Sequence, residues 1–146
     1  MKICEFKAVY KPSLKNGEHP QILESKALAN VFRANYGEGE IEYREKVKCA
    51  FLNASLNVIC VATIAEGGIT DSACDPRIVF QHALLCNAVS VALCHNHPSG
   101  SLVPSSQDKE MTENIKKCGE FMKIKLIDHI ILSGSDYFSF MEKDMI

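Results

Sequence analysis

The chain has 146 residues, of which 47% are hydrophobic and 23% charged, a balance that supports one compact core and excludes both a disordered chain and two full domains. A formal net charge of −2 provides no overall drive onto nucleic-acid phosphates or anionic lipid, so either role would need a local patch. The longest apolar runs, such as Val91-Ala92-Leu93-Cys94, fall far below the ~20 residues that cross a bilayer. Met1-Lys2 leads into Glu5, Lys7 and Lys11 rather than the apolar stretch of a secretion signal, so a cytoplasmic protein is expected.

In chain order, residues 11–24 are polar with an early Pro and Gly and read as a lead-in. Ser25 then has the chemistry of an N-cap, followed by Leu28, Val31 and Phe32 at helical spacing, and this helix should stop near Asn35, before Gly37. From Glu45 the period changes to two: Val47, Cys49 and Phe51 share one face and Lys46, Lys48 and Ala50 the other. Asn53 to Asn57 is turn chemistry and Val58 to Ile64 a second β-branched run, so a hairpin is expected. Asp75-Pro76 opens a second helix that carries an apolar stripe to Asn87. Ala88 to Cys94 reads as a buried strand, and Ser105 with Asp108 three residues later opens a helix bearing Met111, Ile115, Cys118 and Met122. Ile124 to Leu132 and Tyr137 to Met141 complete the pattern as two strands. Interleaved strands and helices predict a mixed α/β layer structure.

Seven cysteines, at positions 4, 49, 60, 74, 86, 94 and 118, form no CxxC pair and sit mostly within apolar runs. They read as small buried hydrophobes in a reducing compartment.

The chemistry concentrates at His95-Asn96-His97. Side chains two apart on an extended backbone share a face, so both imidazoles can reach one ion. Asp108 follows after ten intervening residues, beyond a loop from Pro98 to Pro104 that can present its carboxylate from the first turn of the next helix. Two histidines and an aspartate leave a fourth tetrahedral position for water, as in a catalytic rather than a structural zinc site.

The string His95-x-His97, seven residues, Ser105, two residues, Asp108 resembles the JAB/JAMM (MPN) metalloprotease motif. HNHPSG at 95–100, PSSQD at 104–108 and DHIIL at 128–132 are similar to the RadC branch of that superfamily, over about Glu45 to Met141. The resemblance implies a JAB/MPN-like (cytidine-deaminase-like) three-layer fold for residues 45–146, behind a lead-in of residues 1–44 with one short helix. It further implies Zn2+ held by His95, His97 and Asp108, with Ser105 near the reacting carbonyl. The branch carries a catalytic glutamate at the head of a strand written E-x-F-x-V-L-x-L, which Glu45 to Leu52 fits with Val47 in place of the aromatic. Glu45 is the residue chosen as base; Glu42 and Glu66 are its competitors.

The implied activity is hydrolysis of a peptide or isopeptide bond by a metal-activated water, on a peptide or protein substrate. The other reading is a DNA-repair or mobile-element accessory protein with a structural metal, after the historical label of the RadC branch. Longer members have a helix-hairpin-helix segment that the 44 residues before Glu45 do not match, so direct DNA binding is not expected. Lys116, Lys117, Lys123 and Lys125 are interleaved with Glu110, Glu113 and Glu120 and read as a solvated helix face. His129 reads as a packed or hydrogen-bonded histidine rather than a further ligand, and His19 and His82 have no evident partner.

Overall fold

Five extended stretches of chain build one sheet, and helices cover both of its faces. The computed structural model describes residues 19–67 and 74–146. Its elements are α1 (Ser25–Ala34), α2 (Glu40–Tyr43), β1 (Lys46–Leu52), β2 (Val58–Glu66), α3 (Pro76–Leu85), β3 (Ser90–Asn96), α4 (Ser106–Met122), β4 (Lys125–Ser133) and β5 (Asp136–Ser139), followed by a 3-10 turn at Met141–Lys143. The strands lie in the order β2-β1-β3-β4-β5, with β3 and β4 parallel and the other neighbours antiparallel. Much of the polar lead-in and the connection between β2 and α3 lie outside the described residues. Before Glu45 the chain holds the one-turn α2 as well as the single helix expected there.

Strand alternation divides the core in two. On one face Leu28, Ala29 and Phe32 of α1 pack against Ala50, Leu52, Ala92, Cys94, Ile130 and Leu132. On the other, Val79, Phe80 and Ala83 of α3 and Ile115 of α4 pack against Val47, Cys49, Phe51, Val91 and Leu93. This is the mixed α/β arrangement, a central sheet between helices, that the interleaved pattern predicts. The β1–β2 hairpin forms as expected, its turn held by Asn53 Oδ1, which accepts from the backbone N–H groups of Ser55 and Asn57.

Two local features depart from the sequence reading. Glu24, not Ser25, is the N-cap of α1; Ser25 is the first helical residue, and its hydroxyl donates to Asp128 Oδ2 at 2.7 Å. The cap signal is local, whereas the partner that captures this hydroxyl lies on β4. Ser139 also donates to Asp128 Oδ2, at 2.8 Å, and the Met141 and His129 N–H groups reach Oδ1 at 3.0 and 2.7 Å. Burial pushes the Asp128 carboxyl up, and these hydrogen bonds oppose the push.

The second departure is a bulge in β4. Val91 pairs with Leu126 but Ala92 with Asp128, so Ile127 is an extra residue. The bulge changes the phase of alternation, so that Asp128 faces α1 while His129 faces α4.

Helix α4 meets the start of β4 so closely that a Cβ on Gly119 would lie 2.3 Å from the Ile124 carbonyl oxygen. Gly119→Ala must therefore move backbone. It should destabilise the protein by about 1–3 kcal/mol, the usual cost of overpacking, read as a lower urea midpoint. An unchanged midpoint would contradict this close approach.

Candidate metal centre

Parallel strands need a crossover, and α4 provides it between β3 and β4 over one face of the sheet. The carboxyl end of β3 thus meets the amino end of α4. His95 lies in the last turn of alternation of β3 and is fully buried; His97 follows the strand end on the same face, its side chain 14% exposed. Asp108 is the third residue of α4 and closes a capping box. Ser105 Oγ accepts from the Asp108 N–H at 3.1 Å, and Asp108 Oδ2 accepts from the Ser105 N–H at 2.6 Å.

This cap aims the carboxylate at the two imidazoles. Asp108 Oδ1 lies 3.1 Å from His95 Nε2, Oδ2 lies 3.6 Å from His97 Nε2, and the two Nε2 atoms are 2.9 Å apart. One ligand atom from each of the three residues fits within a mutual distance of 4.8 Å, and this is the metal-capable group among the described residues.

Hydrogen bonding around the rings decides what they present. His97 Nδ1 lies 2.7 Å from the Ser101 carbonyl, which only accepts, so Nδ1 carries a proton. Thr112 Oγ1 lies 2.6 Å from the Asp108 carbonyl and must donate to it, which leaves Oγ1 to accept from His129 Nδ1 at 2.7 Å. His129 is fully buried; burial, then the nearby His95, push its ring well below its ordinary pKa and keep it neutral. Its Nε2 therefore accepts from His95 Nδ1 at 2.8 Å. Both His95 and His97 turn a lone pair on Nε2 toward the other and toward a carboxylate.

Three electron-pair donors this close repel unless a cation lies among them. A proton can serve: the Asp108 hydrogen bond raises His97 above its usual range against the opposing effect of burial. The Asp108 carboxyl, despite burial that works against it, is held well below its usual range by the His95 and His97 rings beside it and by the Ser105 N–H. A divalent cation would satisfy all three donors at once, and imidazole nitrogen with carboxylate oxygen is a donor set suited to zinc. The residues present fit such an ion.

The three candidate glutamates separate. Glu66 pairs with Lys46 across the β1–β2 ladder, their charged groups 3.2 Å apart, on the face that carries α1. Glu42 lies exposed on α2. Glu45 is half-buried just before β1, where the alternation places it on the face of Val47, the partner of His95. It is also among the charges that raise His97.

Asn96, between the two histidines, carries a part that its spacing does not announce. Its Nδ2 donates to the carbonyls of Ile41 and Arg44 at 2.8 Å, and its Oδ1 accepts from the Lys46 N–H at 2.8 Å. It therefore clamps the backbone on both sides of Glu45 to the strand that bears His95. Thr112 was equally silent, although its place one helical turn after Asp108 is a usable signal. His129 is hydrogen-bonded, as expected, and stacks on Phe140 with ring centroids 4.6 Å apart. His19 and His82 each bond a backbone carbonyl, of Val58 and Ile78, away from the site. Lys117 pairs with Glu113 one turn away, within the mixed-charge face expected of α4.

The five-stranded sheet between helices and the His-His-Asp group at the end of β3 are together the features of a JAB-type domain. The chain belongs to the RadC-like JAB domain family, whose profile matches residues 22–145. It is similar to a UPF0758 protein of Flavobacterium johnsoniae, 42% identical over 72% of this chain and 45% of that protein. A UPF0758 protein of Clostridium tetani is 36% identical over 92% of this chain and 58% of its own length, and one of Chlorobaculum tepidum 36% over 85% and 56%. The chain thus spans about half the length of these curated relatives. Among the described residues no helix is long and apolar enough to cross a membrane.

Proposed function

We propose that the protein is a cytoplasmic zinc-dependent hydrolase of peptide or isopeptide bonds. The observation that carries the reading is the convergence of His95 Nε2, His97 Nε2 and the Asp108 carboxylate; a tetrahedral ion held by these three would have one position left for water. Free thiols at the six described cysteines suit a reducing compartment. A zinc ion bound by these residues would lower the pKa of a water toward ~7 and polarise the substrate carbonyl.

The remaining work falls to side chains. Glu45 takes the proton of the attacking water and returns it to the leaving amine, for which its place on the site face of β1 is suited. Ser105 Oγ accepts from the Asp108 N–H, which leaves the hydroxyl hydrogen for the oxyanion that develops on the substrate. Capping and oxyanion binding therefore do not compete, because one uses a lone pair and the other the proton. A peptide or protein amide is the substrate class, and with its lysines interleaved with acids this domain is not read as binding DNA directly.

Elemental analysis tests the site. The wild type should carry one zinc per chain, and His97→Ala, which removes a partly exposed ring, should lose the metal while remaining folded. Equal zinc in both proteins would sink the reading.

A further inference from the structure

We infer that His129 and Thr112 are positioning residues that fix the tautomer of His95, so that its Nε2 is held ready for a cation before any cation arrives. The inference rests on the metal reading above for its purpose, and on three hydrogen bonds for its content.

The chain of bonds has one direction. It is set at its far end by the Asp108 backbone carbonyl, which can only accept, so the Thr112 hydroxyl donates to it. Thr112 Oγ1 then receives His129 Nδ1–H, and His129 Nε2 receives His95 Nδ1–H. The relay begins on one proposed ligand and ends on the backbone of another, joining β3, β4 and α4. Solvent cannot substitute for a missing partner, because His95 and His129 are both 0% exposed. The ring of His129 cannot tumble either, being stacked on Phe140 at an interplanar angle of 12°.

Loss of the Thr112 hydroxyl has a defined consequence. In Thr112→Val, His129 Nδ1 faces a methyl group, and the proton moves to Nε2, where it confronts His95. His95 must then accept at Nδ1 and carry its own proton on Nε2, where Asp108 Oδ1 lies 3.1 Å away and receives it. That proton occupies the lone pair a metal needs.

The experiment is imidazole 15N NMR of the metal-free protein at mildly alkaline pH, combined with zinc titration against a chromogenic chelator. Wild type and Thr112→Ser should show His95 unprotonated at Nε2. Thr112→Val should show it protonated there, with zinc affinity weakened by roughly 10–100-fold, the usual cost of losing an outer-sphere partner. His129→Phe, which keeps an aromatic plate on Phe140 and removes the acceptor for His95, should behave as Thr112→Val does and covers the case in which the valine variant fails to fold. A wild-type His95 protonated at Nε2, or the same tautomer in wild type and variants, overturns the relay whatever zinc does. Equal zinc affinity across the series overturns its positioning role. A wild type that binds no zinc, with the tautomer inverting as described, supports the relay and defeats the metal reading alone.

Discussion

Glu45→Gln should lower turnover on a peptide or isopeptide substrate by ~10²–10⁴-fold, the usual worth of general acid-base catalysis, with zinc content and melting temperature near wild type. A metal can acidify water, but the proton must still travel from nucleophile to leaving amine, and an amide cannot carry it. Asn96 makes this variant a clean test, because its hydrogen bonds to the Arg44 carbonyl and the Lys46 N–H hold the backbone on either side of position 45 whatever side chain stands there. Glu42→Gln and Glu66→Gln are the controls, since Glu42 is exposed on α2 and Glu66 faces Lys46 on the other side of the sheet. Full turnover in Glu45→Gln with loss in either control would move the base and leave the mechanism standing. If none of the three mattered in a protein with measurable hydrolysis, the mechanism would fall.

Asp108 should show two separable losses, because its carboxylate serves both the helix cap and the imidazole pair. Asp108→Ala removes the acceptor of the Ser105 N–H and should cost the metal-free protein about 1 kcal/mol, the scale of a lost cap, seen as a lower urea midpoint. Asp108→Asn keeps an acceptor oxygen of the same reach and should restore most of that stability. Neither variant should hold zinc well: the loss of affinity should exceed the roughly 10–100-fold that outer-sphere changes cost, since a charged donor itself is gone. Chelator competition measures this, and zinc affinity in Asp108→Asn equal to wild type would remove the carboxylate from the ligand set.

The sequence made the two histidines and the aspartate legible for a physical reason: alternation and a capping box are local rules, and both hold here. Val47, Cys49 and Phe51 likewise announced the face of β1 that they bury. The surrounding frame was less legible because it depends on distant pairings. Ser25 looks like an N-cap when read within its own helix, yet its partner Asp128 is 103 residues away. The bulge at Ile127 is hidden in a run whose two phases each mix apolar with polar residues, so composition cannot show which phase is used. Asn96 could be recognised as a clamp only once Ile41, Arg44 and Lys46 were placed beside it.

Asp128 and His129 are consecutive, yet one serves the α1 face of the sheet and the other the α4 face. The Asp128 carboxylate accepts from the Ser25 hydroxyl at the head of α1 and also from the N–H of His129 itself. Only the thickness of a strand therefore separates α1 from the relay that orients His95. The two faces are joined mechanically in series: a load that shifts the head of α1 is delivered through one carboxylate to the peptide plane from which His129 projects.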